Sequence, residues 1–213
     1  MSEAGADPAP GGAGPSVEAD LALLRRHGRA LFHVAESSIE HGLDWGRPLP
    51  VDPPRFAPDL QAHRATFVTL RRDGVLRGCV GTTQAWRAMI VDVANNAYRA
   101  AFDDSRFPPL AVEERRDLDM SISLLSPAVP MRFRHESDLL AQLRPGIDGL
   151  IIADGERRAL FLPSVWETLP EPRHFLGRLK RKAGLPENRP VPGLEASRFV
   201  AASIDRGEVL GGT

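Results

Sequence analysis

The residues with the clearest chemical potential lie in one run, Leu76-Arg77-Gly78-Cys79-Val80-Gly81-Thr82-Thr83. Strand alternation would set Arg77, Cys79 and Gly81 on one face and Gly78, Val80 and Thr82 on the other. Arg77 then stands two residues from the single cysteine of the chain, where a guanidinium favours the thiolate, the nucleophilic form of the side chain. Glycine inside a strand marks a bulge or a close backbone approach, so Gly78 and Gly81 around Cys79 predict an open surface of ligand size. A nucleophilic Cys79 would mean acyl or related group transfer, with backbone amides near Gly78 and Gly81 binding a developing anion. The plain alternative is that Cys79 is a small buried apolar residue, as most free cysteines are. The sequence ties no histidine to Cys79 as a general base, which favours binding over catalysis.

Other candidates are fewer. The chain holds no phosphate-loop, dinucleotide, nucleophile-elbow or His-Glu-x-x-His motif, so no cofactor is predicted. The six histidines do not cluster; His27, His33 and His41 lack the i, i+4 spacing that brings two ligands together, and no metal site is predicted. One cysteine excludes an intramolecular disulfide and fits a reducing compartment, with the cytoplasm as default. Asn96 shares a helix face with Met89, Val93 and Ala100, as a structural hydrogen bonder or as a group lining a pocket. The run Arg173 to Lys182 carries five Lys or Arg side chains and reads as the solvated face of a helix whose other side is Phe175, Leu176, Leu179 and Ala183. Lys180 and Lys182 are the sole lysines among 27 Lys and Arg, a bias that goes with GC-rich, bacterial coding.

These residues need elements to position them. A chain of 213 residues, 42% hydrophobic and 26% charged, is long enough for one domain with a useful core. The net charge of -1 weighs against a dedicated nucleic-acid binder, and no apolar run approaches the ~18 residues of a membrane span. Residues 1–16, rich in Pro, Gly and Ala, predict a flexible tail without signal-peptide features. A helix follows from Val17 to His41, capped by Ser16, with Leu21, Leu24, Leu31, Phe32, Ala35 and Ile39 at helical spacing. The proline-rich stretch 43–59 reads as an extended connection. Thr66 to Thr82 reads as a hairpin turning at Asp73-Gly74, and Gly149 to Pro163 as a second one at Asp154-Gly155. Helices are expected at 86–102, 137–143 and 172–183, and strands at 117–126 and 197–205, with a flexible end from 208 to 213. Two hairpins, each followed by helix and strand, indicate an α+β fold and a possible old duplication over residues 17–207.

Taken in order, LRGCVGT, a helix with ANNA, AFDDSRFPPL, a strand ISLLSP, RPGIDGLII, a hairpin reaching LFLPSVWE, and KAGLP make the chain similar to one family. From about residue 20 to 204 it resembles the AMME-syndrome candidate domain, in prokaryotes called AmmeMemoRadiSam system protein A. The resemblance implies an α+β fold of two related halves around a curved, barrel-like, mainly antiparallel sheet with flanking helices. It implies a cleft near the Arg-Gly-Cys strand, and association with a Memo-type protein and a radical-SAM protein. It implies no secure reaction. Its cleft motif falls on Arg77, Gly78, Cys79, Gly81 and Thr82, with Asp104, Arg106 and Phe107 from the Asp-Ser-Arg-Phe segment and Lys182 before Ala183-Gly184. Many members carry a cysteine where this chain has Lys180, which weighs against a two-thiol mechanism. Keeping Lys182 in an arginine-rich chain suggests that an ammonium is required there, whereas the resemblance gives Lys180 no role. The expected function is a partner-dependent binding module presenting a small molecule or peptide; the alternative is an enzyme using Cys79.

Overall fold

Hydrophobic periodicity builds the first element, α1 (Val17–Trp45), whose buried positions include Leu24, Leu31, Phe32, Ala35 and Ile39. The computed structural model describes residues 17–211; the predicted tail 1–16 and its Ser16 cap lie outside them. The proline-rich connection holds only a 3₁₀ turn and the four-residue α2 (Pro58–Gln61).

The first hairpin is β1 (Ala65–Arg72) and β2 (Val75–Gly81). Both loop residues, Asp73 at φ 51° and Gly74 at φ 76°, have the positive φ that a type I′ turn requires. α3 (Met89–Phe102) then packs Val93, Ala97, Ala100 and Ala101 toward the strands. It starts three residues later than periodicity suggests, because Ala88 is extended at φ −53°, ψ 138°. β3 (Leu118–Leu125), the short β4 (Val129–Pro130) and α4 (Glu136–Gln142) follow.

The second hairpin, β5 (Gly149–Asp154) and β6 (Arg157–Phe161), turns one residue later than expected. Asp154 pairs with Arg157, so the loop is Gly155-Glu156, with Gly155 at φ 59°. α5 (Pro172–Lys182) follows. The single last strand expected at 197–205 is two strands, β7 (Glu195–Phe199) and β8 (Ala201–Asp205), in different sheets. Where a flexible end was expected from 208, α6 (Arg206–Leu210) forms and Val209 packs on the first core.

The α+β class holds, but the expected barrel-like sheet does not form. The strands make two four-stranded antiparallel sheets, β2-β1-β3-β8 and β4-β7-β5-β6. The reason is strand exchange between the halves. After β3 the chain crosses to the second sheet as β4, and after β7 it crosses back to the first as β8. The crossings lie side by side, with Ser126 N–H donating to Val200 O at 2.9 Å and Val200 N–H to Ser126 Oγ at 3.0 Å. β2 and β8 are the edge strands of the first sheet, β4 and β6 those of the second.

Each sheet buries its helix-covered face in a core of its own. The first joins α1, α3 and sheet residues such as Val68, Leu70, Ile122 and Leu124; the second joins α4, α5, Leu150, Ile152 and Trp166. The helix-free faces meet at a third cluster of Ala65, Leu125, Ile151 and Phe199, with Phe67, Leu160 and Leu162 against it. Alternation along β1 and β5 sends neighbouring residues to these different cores.

Candidate functional site

Beside the cluster joining the sheets, the free edge of β2 meets β6 and the end of α5. The structure brings five of the expected residues together there: Cys79, Asp104, Arg106 and Phe107 from the first half and Lys182 from the second.

Cys79 is partly exposed and pairs with Thr69 across the sheet. The Thr69 hydroxyl donates to its Sγ at 3.3 Å. The edge-facing backbone of Cys79 is held by side chains. Its N–H donates to Asp104 Oδ2 at 2.9 Å, and its carbonyl accepts from Arg106 Nη2 at 3.3 Å. Arg106 also grips Asp104, Nε to Oδ1 at 2.9 Å and Nη2 to Oδ2 at 2.6 Å. The Arg106 guanidinium, helped by the Cys79 amide, holds the Asp104 carboxyl well below the usual carboxylate range, although burial opposes this. The Asp-Ser-Arg-Phe segment therefore occupies a strand edge that would otherwise offer unpaired backbone groups.

From the other half, Lys182 Nζ donates to Leu160 O at 3.1 Å and lies 5.3 Å from the Phe161 ring centre. The residue as a whole is exposed, but partial burial of the ammonium and then the nearby Arg106 push its pKa down, while Cys79 acts in the opposite direction. Arg106 and Lys182 thus both lie within electrostatic reach of Cys79.

Other expected residues lie elsewhere. Arg77 does not share a face with Cys79, because β1 and β2 shift register between Leu70 and Arg71, leaving Arg77 as the extra residue of a bulge. Its side chain turns to Glu114, with Nε at 2.8 Å from Oε1 and Nη2 at 2.9 Å from Oε2, and to Pro108 O at 3.0 Å. Through Pro108 and the nearby Phe107 ring, Arg77 anchors the loop that carries Arg106. Arg77 holds the Glu114 carboxyl down at about 2.

The two glycines make no open ligand surface. A β-carbon on Gly78 would lie 3.0 Å from the Ala100 carbonyl carbon and closer still to its oxygen, so α3 fills that space. The side of Gly81 is covered by the Phe67 ring. Thr82 and Asn96 belong to a network around Asp92, which is 1% exposed. Asp92 Oδ2 accepts from Thr66 N–H and hydroxyl, the Thr82 hydroxyl and Asn96 Nδ2 at 2.6 to 3.0 Å, and Oδ1 accepts from Arg87 at 2.6 Å. Asn96 is fully buried. This network pins α3 to the start of β1 and the end of β2.

Lys180 also departs from expectation. Its side chain is 1% exposed, and the ammonium donates to both Glu136 oxygens at 2.9 and 3.0 Å and to Arg189 O at 2.6 Å. It ties α5 to α4 and the following loop, far from a solvated face. Sequence reasoning missed Asp92, Glu114 and Phe161. Asp92 carried a signal, since Asp92 and Asn96 stand at i, i+4 on the same apolar helix face as Met89 and Val93. Glu114 carried none, being 37 residues from Arg77.

Among the described residues no group of three His, Cys, Asp or Glu could hold a metal ion, and no helix is long and apolar enough to cross a membrane.

Two helix-backed antiparallel sheets that exchange strands, with a partly exposed thiol on the edge strand of one, define an α+β protein. Residues 32–204 match the AMMECR1 family, and the chain belongs to it. It is 36% identical over 170 residues to a protein of Methanothermobacter thermautotrophicus, covering 77% of this chain and 85% of that one. It is 34% identical over 159 residues to a protein of Methanocaldococcus jannaschii, covering 69% and 77%. The crystal structure of an uncharacterised protein of Pyrococcus horikoshii is similar at TM-score 0.77 and 30% identity, covering 84% of this chain and 91% of that one.

Proposed function

We propose that this chain is the partner-dependent binding module of an AmmeMemoRadiSam-type system, its system protein A, in a bacterial cytoplasm. It holds a small molecule or peptide in the cleft beside Cys79 and presents it to a Memo-type protein and a radical-SAM protein. The observation that carries the reading is that Arg106 donates to the carbonyl of the partly exposed Cys79 at 3.3 Å while Lys182 comes within electrostatic reach of the same residue. With Asp104 paired to Arg106, Lys182 leaves a net positive charge there, which favours an anionic group on the ligand. The hydrogen-bond partner of the thiol is the Thr69 hydroxyl, which is no general base at neutral pH. The net charge of -1 agrees with protein and small-molecule partners rather than nucleic acid.

The second reading is an enzyme in which Cys79, the single cysteine and partly exposed, is the nucleophile of a group transfer. The test is native co-purification of the tagged full chain, with mass spectrometry of captured proteins and small molecules. The binding reading expects Cys79→Ala to retain partner and ligand, and Arg106→Gln with Lys182→Gln to lose the ligand while staying folded. Trapping of a covalent adduct on Cys79, with turnover abolished by Cys79→Ala, would replace it with the nucleophile reading.

A further inference from the structure

The charged side of α5 is not merely a solvated face. Arg178, Arg181 and Lys182 line an open hollow of about 670 Å³ together with Phe161, Val165 and Leu169. The three cations stand at i, i+3 and i+4, a spacing that puts them on one face and makes like charges repel. One carboxylate, Glu187, serves both arginines. Its oxygens stand 3.7 Å from Arg178 and 3.6 Å from Arg181, longer than a hydrogen bond. Three positive charges against one negative leave an excess of two beside the hollow. The negative end of the helix dipole accommodates cations there but does not supply the in-plane oxygen pairs that a guanidinium fork matches.

The opposite wall is apolar. Phe161, Val165 and Leu169 are half-buried against the second core, so each keeps hydrocarbon surface open to solvent beside the cations. A solvated charged face needs no such wall; a site for an amphipathic ligand needs both.

We infer that this hollow binds a small organic dianion, a phosphate monoester or its like, whose headgroup sits between Arg178 and Arg181 and whose apolar body covers Phe161, Val165 and Leu169. The site goes beyond the cleft beside Cys79 and shares Lys182 and Phe161 with it, so a ligand seated here reaches the rim of that cleft.

The test is calorimetric titration of the full chain with phenyl phosphate, inorganic phosphate and phenol, at low ionic strength and a pH where the monoester is doubly ionised. Phenyl phosphate is expected to bind at least about tenfold more tightly than either fragment, because only it uses both walls. The double variant Arg178→Gln/Arg181→Gln should lower its affinity about tenfold or more, and Glu187→Gln should raise it by freeing both guanidinium groups. Arg116→Gln, an exposed position outside the hollow, should leave it unchanged. Both arginine side chains are largely exposed, at 45% and 61%, so the double variant keeps the fold. It also leaves Lys182 and Arg106 in place, so this site and the cleft reading can fail separately. Equal affinity for phenyl phosphate and one of its fragments, or affinity unmoved in the double variant, would overturn the assignment.

Discussion

Replacing Gly78 by alanine adds one carbon, and the structure specifies what it meets. The new atom would stand 3.0 Å from the Ala100 carbonyl carbon, closer to the oxygen, and 3.6 Å from Ala100 Cα. What must yield is backbone, since no flexible side chain intervenes. Ala97, Ala100 and Ala101 line the buried side of the C-terminal half of α3, so that half lies against the sheet through small residues. Pushing its last turn outward forfeits dispersion contacts along that face. It also displaces the loop beginning at Asp103, which is tied back by the Leu110 N–H to Ala101 O bond at 2.8 Å. Overpacking of a tight core costs about 1–3 kcal/mol, more where backbone is forced to move, and we expect about 3–4 kcal/mol for Gly78→Ala. For a chain of this size that lowers Tm by roughly 6–16 °C. Paired urea and thermal unfolding measure it. Gly207→Ala is the control, because Gly207 lies within α6 with nothing within 4 Å of its added carbon and should gain about 0.5–1 kcal/mol. Strand spacing alone predicts instead an open surface beside Gly78, where an added carbon would meet nothing. Stability within about 0.5 kcal/mol of the parent for Gly78→Ala would refute the packing argument.

Two further outcomes follow from the ion pairs. Lys180→Arg keeps the charge but forces a planar guanidinium into a space that fits an ammonium with three acceptors at 2.6 to 3.0 Å; it should cost about 2–4 kcal/mol in urea unfolding, and a neutral result would return Lys180 to the solvated face. Glu114, held at about 2 against an ordinary 4.5, is a carboxyl whose folded-state pKa is lowered, so its contribution is complete above about pH 5 and fades as pH falls toward 2. Between those limits the parent should lose about 2–3 kcal/mol more stability than Glu114→Gln; parallel stability-pH curves would show that Arg77 gains nothing from the pair.

Local signals in the sequence determined the elements. The i, i+3, i+4 pattern of α1, the Asp73-Gly74 turn and the alternation of Leu118, Met120, Ile122 and Leu124 each rest on neighbours within a few residues, and each element formed, α1 running on past the expected end at His41 to Trp45. The family motifs likewise named Cys79, Asp104, Arg106 and Lys182, which the fold brings together. What local signals could not carry was decided by tertiary structure. A single extra residue in β2 rotated Arg77 away from Cys79 and gave it to Glu114, since a bulge is defined by the register of the partner strand. The space beside Gly78 was taken by a helix that follows it in the chain, and the strand expected over 197–205 split at Val200 because its two ends found partners in different sheets. Lys180 and Lys182, two residues apart and chemically identical, were separated in the same way: packing against α4 buried the first ammonium on the Glu136 carboxylate, and the end of α5 set the second on the Leu160 carbonyl beside the Phe161 ring.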